Sequence, residues 1–129
     1  SNQPIRGMDV SNETLLKAPA NQSYYFAFDK SEVRDKYKPS IKAQADYLLK
    51  HTQAQVLLAG NTDARGSHEY NIALGERRAL AVAQRLQMEG VSGQQIHVLS
   101  YGDMRPVALG HSAKDYALNR RVDFIYEEK

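Results

Sequence analysis

The stretch AGNTDARGSHEYNIALGERRA (residues 59–79) joins the end of an apolar run to the start of an amphipathic helix. The run AQVLLAG (residues 54–60) is short and ends in glycine, as is typical of a central strand covered on at least one face. From residue 69 to residue 89, apolar and small side chains recur at helical spacing, and Gly90 is placed to cap the helix. The polar loop between these segments therefore leads from a buried strand into a helix.

The rest of the chain repeats this alternation of strands and helices. The predicted order is strand, helix, strand, helix, strand, short helix and strand, over residues 23–28, 34–51, 54–60, 69–89, 95–102, 113–119 and 120–126. Such an alternation predicts an α/β fold, a two-layer sandwich in which a small mixed sheet carries amphipathic helices on one face. A βαβαβ core is followed by a final strand, whose direction the periodicity does not decide.

Apolar and small side chains indicate which side of each long helix faces the sheet. The first helix carries a stripe at helical spacing, formed by Ile41, Ala45, Leu48 and Leu49. In the second helix the stripe includes two small residues, Gly75 and Ala79. Small side chains allow close packing, so we expect this helix to lie close to the sheet.

Composition and charge exclude several classes of protein. The 129 residues suffice for one domain with a sizeable core, and 17 basic against 15 acidic residues give a net charge of only +2. This balance argues against a nucleic-acid-binding protein. Cysteine is absent, which excludes disulfides, thiolate metal sites and cysteine nucleophiles. The four histidines lack metal-site spacing, so we predict no metal and no cofactor.

The chain divides into a leader and a domain. Residues 1–22 show no sustained period and are predicted to form an N-terminal leader or linker, and residues 23–129 form the domain. The first residues, SNQPIRGMDV, lack the charged and apolar regions of a signal peptide. No apolar run approaches the roughly 20 residues that span a bilayer.

Asp63 and Arg78 are the candidate binding residues. Asp63 lies between two glycines on a loop that follows a strand, and Arg78 lies fifteen residues later in the helix. The chain can fold back there, bringing a carboxylate and a guanidinium into one pocket. Such a pair matches a zwitterionic ligand with an ammonium and a carboxylate on the same carbon. An Asp and an Arg at this spacing are more often a structural ion pair or two solvated charges.

Four separated stretches carry a family resemblance. They are FAFDKSEV (26–33), GNTDARGSHEYNIALGERRA (60–79), VLSYGDMRPVALGH (98–111) and NRRVDFIY (119–126). Over roughly residues 24–126 the chain resembles the OmpA-like peptidoglycan-binding domain family. LGERRA and VALGH are similar to the lipoprotein branch of that family, since the porin-linked branch more often has serine at Gly75.

The resemblance implies non-covalent binding of the peptidoglycan stem peptide at its meso-diaminopimelate residue. Family members hold the charged groups of that residue with the aspartate and arginine that correspond to Asp63 and Arg78. The implied ligand-binding set also includes Phe28 and Asp29 as pocket walls, Asn71 to order the loop, Leu74 as an apolar contact and Arg65 at the pocket edge.

One position departs from the family pattern. Asn61 stands where the family usually has histidine. Asparagine offers a donor and an acceptor but takes no charge, so a pH-dependent role is not expected at this position.

Two arginine motifs flank the candidate site. Arg77 is expected on a solvated helix face. Arg120 and Arg121 are expected to hold the final strand by pairing with acidic neighbours, with binding of an anionic ligand as the alternative.

The resemblance further implies a periplasmic module that fastens the outer membrane to the cell wall. A lipidated cysteine upstream of residue 1 would provide the membrane anchor, and the partners would be peptidoglycan and the Tol proteins, especially TolB. TolB would bind a surface that overlaps the peptidoglycan site. Nucleic acid is not an expected partner.

Two other hypotheses about function remain open. The domain could belong to a larger porin or flagellar-stator protein, which the length of the upstream segment would decide. The enzymatic alternative is a peptidoglycan hydrolase with Asp29 and Asp63 as its paired carboxylates. Such an enzyme needs a long cleft for the sugar chain, and nothing in the sequence suggests one. We therefore predict a protein that is not an enzyme.

Overall fold

The computed structural model describes residues 22–127. Within them the elements follow the predicted order. The strands are β1 (Gln22–Tyr25), β2 (Val56–Asn61), β3 (Ile96–Gly102) and β4 (Arg121–Tyr126). The helices are α1 (Lys38–Lys50), α2 (His68–Met88) and α3 (Ala113–Asn119).

The four strands form one mixed sheet with the order β1-β4-β2-β3. Strands β2 and β3 are parallel and are joined by α2, the crossover that the sequence predicts. Strand β4 runs antiparallel to both of its neighbours, β1 and β2. The direction of the last strand, which periodicity left open, is therefore antiparallel.

The core lies between one face of this sheet and the helices α1 and α2. Side chains on that face alternate with side chains on the open face, as the pleat of a strand requires. The buried set includes Tyr24, Val56, Leu58, Val122, Phe124 and Tyr126 from the strands, with Ile41, Ala45, Leu48, Ala79, Val82 and Leu86 from the helices. On the open face Leu99 and Ile125 stay about 40% exposed, at 42% and 39%. The predicted two-layer α/β architecture is confirmed.

Strand β2 and helix α2 approach each other closely at two glycines. A Cβ added to Gly60 would lie 1.8 Å from the carbonyl oxygen of Gly75. A Cβ added to Gly75 would lie 2.3 Å from the Ser100 Oγ in β3. The two backbones therefore touch where the sequence predicted a close approach, and the start of α2 is fixed against the end of β2.

The predicted stripe on α1 is wrong at one position. Leu49 is 45% exposed, whereas Gln44 is fully buried. The Gln44 side chain accepts a hydrogen bond from the Tyr126 hydroxyl and donates one to the Gln22 side chain. A buried polar residue with partners on two strands therefore belongs to the inward face of α1, and Leu49 lies outside that face.

The predicted boundaries near β1 are also wrong. The strand ends at Tyr25 rather than at Phe28, because a turn closed by the Lys30 amide and the Ala27 carbonyl, 3.1 Å apart, redirects the chain. Gln22, assigned by the sequence to the leader, pairs with Phe124 in the sheet. The other leader residues, 1–21, lie outside the described part of the chain.

Candidate functional site

A cavity of about 230 Å³ lies where β2 leaves the sheet and α2 begins. Its walls come from the turn after β1, the loop after β2 and the first turns of α2. The lining residues are Phe28, Asp29, Thr62, Asp63, Arg65, Gly66, Tyr70, Asn71, Leu74 and Arg78. All the residues predicted for the site line this cavity, and the structure adds Thr62, Gly66 and Tyr70.

Asp63 lies in the wall of the cavity and is 4% exposed. Its Oδ1 accepts hydrogen bonds from the Arg65 amide at 3.1 Å and from Arg65 Nε at 3.2 Å. Its Oδ2 accepts from Arg65 Nη2 at 2.7 Å and from Arg120 Nη1 at 3.4 Å. Burial favours the neutral acid, but the hydrogen bonds and charge of Arg65 and Arg120 outweigh it, so the pKa of Asp63 lies below its ordinary value.

Arg78 is fully buried and anchored by backbone carbonyls. Its Nε donates to the Lys30 carbonyl at 2.7 Å, Nη1 to the Asn61 carbonyl at 2.9 Å and Nη2 to the Ala27 carbonyl at 3.2 Å. Burial and the nearby charge of Arg120 lower the pKa of Arg78 to about 10, so the guanidinium stays charged at neutral pH.

Arg78 has no direct anionic partner in the described residues, 22–127. No carboxylate among them lies within the 4.0 Å of a salt bridge to its guanidinium. Asp63 and Arg78 therefore line one cavity without forming an ion pair with each other. The structure favours neither the paired nor the solvated alternative for them, since both are buried and Asp63 pairs elsewhere.

Arg65 covers one side of Asp63. Its guanidinium lies over two aromatic rings, 4.1 Å from the centroid of Phe28 and 4.3 Å from that of Tyr116. Its side chain is 42% exposed, against 5% for Asp63. Arg65 thus lies at the edge of the cavity, as predicted, and its guanidinium covers the Asp63 carboxylate to which it is bonded.

Asp29 supplies a second carboxylate at the mouth of the cavity. Its backbone has φ 57°, the left-handed region that Asp tolerates better than most residues. Its carboxylate accepts a hydrogen bond from the Tyr70 hydroxyl, which raises the pKa of Tyr70. Phe28, beside it, is 55% exposed and presents an apolar face to the solvent.

The loop after β2 is held by the start of α2. The Asn71 side chain donates from Nδ2 to the Arg65 carbonyl at 3.1 Å, the contact with the loop that the sequence predicts. Ser67 caps α2 by accepting from the Tyr70 amide at 3.1 Å. Leu74 is buried and forms an apolar part of the wall. These contacts hold the loop against the start of α2.

Arg120 and Arg121, next to each other where β4 begins, have different partners. Arg121 pairs with Asp123 at 3.1 Å, as expected for an arginine that holds the final strand. Arg120 instead reaches the site, where Nε donates to the Phe26 carbonyl at 2.9 Å and Nη1 to Asp63. The NRR motif was the available signal for Arg120, but its partner lies 57 positions away in the sequence.

Asn61 does not line the cavity. It is 1% exposed, and its Nδ2 donates to the Ala59 carbonyl at 3.0 Å and to the Arg121 carbonyl at 3.4 Å. Its backbone carbonyl accepts from Arg78. The position that departs from the family pattern therefore supports the site from behind.

Within residues 22–127, no group of three or more His, Cys, Asp or Glu side chains is arranged to hold a metal ion. The same residues contain no helix with the length and apolar character needed to cross a membrane.

The sequence model of the OmpA family matches residues 25–120, which include the whole cavity. The chain belongs to the OmpA family. It is similar to the peptidoglycan-associated lipoprotein of Legionella pneumophila, with 54% identity over 94% of this chain and 69% of that protein. The peptidoglycan-associated lipoprotein of Pseudomonas aeruginosa is 43% identical over 88% of this chain and 66% of that protein. The resemblance to the lipoprotein branch is confirmed.

The similarity extends to a porin and to solved structures. Outer membrane porin F of Pseudomonas aeruginosa is 40% identical over 76% of this chain but only 28% of the porin. The crystal structure of the peptidoglycan-associated lipoprotein from Burkholderia pseudomallei has a TM-score of 0.82 at 42% identity, covering 93% of this chain and 98% of that one. The C-terminal domain of Helicobacter pylori MotB shares the fold, with a TM-score of 0.76 at 22% identity, over 84% of this chain and 85% of that one.

Proposed function

We propose that this protein binds peptidoglycan non-covalently at the meso-diaminopimelate residue of the stem peptide. Arg78 is the observation that carries this proposal. It is a charged guanidinium buried in a cavity wall, with no carboxylate within 4.0 Å among residues 22–127. Burying a cation without an anionic partner costs free energy, and a ligand carboxylate would offset that cost.

The side chain of meso-diaminopimelate ends in an ammonium and a carboxylate on one carbon. In the proposed complex Arg78 binds this carboxylate and Asp63 binds the ammonium. Leu74 and Phe28 contact the methylene groups between the two ends of the residue. Each charge-assisted hydrogen bond in such a shielded site contributes about 1.5–3 kcal/mol.

The cellular role follows from the kind of relatives that the chain has. They are named peptidoglycan-associated lipoproteins, and names of this kind describe an association with the wall and no catalytic activity. We propose that the protein acts on the periplasmic face of the outer membrane of a Gram-negative bacterium, where a lipid anchor upstream of residue 1 and the peptidoglycan site together fasten the membrane to the wall.

We also propose that TolB binds a surface overlapping the cavity, so that TolB and peptidoglycan exclude each other. Exposed Phe28 and Tyr70 at the cavity mouth support this, because a partner that covers them would close the entrance. In surface plasmon resonance, saturating muropeptide should abolish binding to immobilised TolB. Simultaneous binding of both ligands would contradict the overlap.

The hydrolase alternative is poorly supported by the chemistry of the two carboxylates. A glycosidase of this type needs one carboxylic acid with a raised pKa, and Asp63 does not fit that role because its pKa lies below its ordinary value. Asp63 also bonds two positively charged guanidinium groups, which stabilise its ionised form rather than a protonated acid. A zymogram on purified peptidoglycan should show no clearing.

Cosedimentation with purified peptidoglycan sacculi tests the proposed function. The wild-type chain should pellet with sacculi that contain meso-diaminopimelate and stay in solution with sacculi that contain lysine. Asp63→Asn should lose the association. Asp123→Asn is the matched control, because Asp123 also pairs with an arginine but lines no part of the cavity. Equal pelleting of both variants, each folded by circular dichroism, would overturn the proposal.

A further inference from the structure

The hydrogen bonds that Asp63 already accepts raise the question of how the cavity admits a cationic ligand. A carboxylate has lone pairs for about four hydrogen bonds. Asp63 already accepts four, three from Arg65 and one from Arg120. An incoming ammonium therefore finds no free acceptor on Asp63 and must replace one of these donors.

The two arginines are held with different strength. Arg120 is only 15% exposed in its side chain, and its Nε is fixed to the Phe26 carbonyl at 2.9 Å. The Arg65 side chain is 42% exposed and bonds no group other than Asp63 among residues 22–127, apart from the two rings that it contacts. The third donor, the Arg65 amide, belongs to the loop backbone, so the guanidinium of Arg65 is the donor that can leave.

We propose that the Arg65 guanidinium is an internal competitor that occupies the ammonium site of Asp63 and thereby determines which cations enter. In the free protein Arg65 Nε and Nη2 stand where a ligand ammonium would donate. A ligand with a primary ammonium displaces this guanidinium, while Arg120 and the loop amide remain bound to the carboxylate. A cation that bonds the Asp63 carboxylate less strongly than the guanidinium does leaves Arg65 in place and does not enter the cavity.

Displacement also changes the wall of the cavity. The Arg65 guanidinium lies over the rings of Phe28 and Tyr116, so its departure uncovers the part of the Phe28 ring that it contacts. Phe28 lines the cavity, so this apolar surface becomes available to the methylene groups of the ligand. The guanidinium itself moves into solvent, where hydration replaces its lost hydrogen bonds.

The choice of natural ligand rests on the proposed function. The competition between the Arg65 guanidinium and an ammonium for Asp63 does not depend on it. Butylammonium carries a primary ammonium and no carboxylate, so it probes Asp63 without using Arg78. The ¹H–¹⁵N signal of Arg65 Nε reports whether the guanidinium is displaced. Arg77→Gln is the matched control for Arg65→Gln, because it removes the same charge from an exposed arginine that stacks on Tyr70 and makes no bond to Asp63.

We expect the Arg65 Nε signal of the wild-type protein to move to the position of a solvated guanidinium on titration with butylammonium or a meso-diaminopimelate muropeptide. Arg65→Gln should bind both ligands about fivefold more tightly than Arg77→Gln, as expected for loss of a partly exposed ion pair.

Two results overturn the inference. One is an Arg65 Nε signal that does not move at saturation with muropeptide. The other is an Arg65→Gln affinity equal to or weaker than that of Arg77→Gln. If no variant binds muropeptide but butylammonium displaces Arg65, the proposed function fails and the competition stands.

Discussion

At the scale of single residues, Arg78 and Asp63 show two ways of keeping a charge inside a protein. Arg78 is fixed by three backbone carbonyls, and its charge has no direct counter-ion among residues 22–127. Asp63 is fixed by two arginines that neutralise it. The cavity thus contains one cation held by carbonyls and one anion held by arginines.

Asp63 should make stability depend on pH. The pKa of Asp63 is lower in the folded state than in the unfolded state. Its contribution to the free energy of unfolding is therefore complete above the unfolded-state pKa of about 3.9, and it is lost as the pH falls through the folded-state pKa. Urea unfolding followed by circular dichroism should show wild type more stable than Asp63→Asn at pH 6. The difference should shrink steadily from pH 4.5 to pH 2.5, and a constant difference would contradict this.

The sequence predicted the members of the site better than their pairing. Asp63 and Arg78 were predicted because they are close in the chain and the strand-loop-helix order limits where they lie, whereas Asn71 came from the family resemblance. Arg120 was not assigned to Asp63, because that contact depends on the strand order, which periodicity does not contain. Tyr70 was missed because a tyrosine near a helix start is compatible with many environments.

At the scale of secondary-structure elements, the contact between β2 and α2 decides the shape of the site. Gly60 and Gly75 let the strand and the helix touch, and the loop that carries Asp63 spans the gap between them. The sequence predicted this contact from small residues. The inward position of Gln44 in α1 was unpredictable, because a buried polar side chain depends on partners supplied by distant strands.

Gly60→Ala should disturb the fold and the cavity together. The added Cβ would meet the Gly75 carbonyl, a backbone group that cannot turn aside, so we expect a loss of at least about 1–3 kcal/mol in the free energy of unfolding. Gly93→Ala is the control, because its Cβ would meet only the flexible end of Gln87 at 3.1 Å. Similar urea midpoints for the two variants would mean that the close contact is not essential.

At the scale of the whole molecule, the sheet order brings distant segments to one edge of the fold. The turn after β1 reaches the cavity because β1 lies beside β4, where Phe26 and Arg120 bond through both backbone and side chain. The class of fold and the order of its elements were predictable from periodicity and resemblance. The extent of the leader was not, because Gln22 joins the sheet through polar contacts that leave no apolar signal in the sequence.

Deletions should locate the start of the domain. Compared with a chain that lacks residues 1–21, a second deletion that also removes Gln22 should have a melting temperature lower by roughly 4 °C or more. The second deletion removes the Gln22 oxygen that accepts from Ser40 at 2.6 Å and from Gln44 at 3.2 Å. Gln22→Ala in the full chain is the matched substitution, and an unchanged melting temperature for it would contradict this boundary.

The most direct test of the proposed site changes the ligand and leaves the protein intact. A muropeptide with meso-diaminopimelate should be titrated into the wild-type chain by calorimetry, alongside the same peptide with the distal carboxylate amidated. Losing one charge-assisted interaction with Arg78 should weaken binding about 10- to 100-fold. Equal affinities for the two peptides would show that Arg78 does not recognise the ligand carboxylate and that its buried charge serves the fold alone.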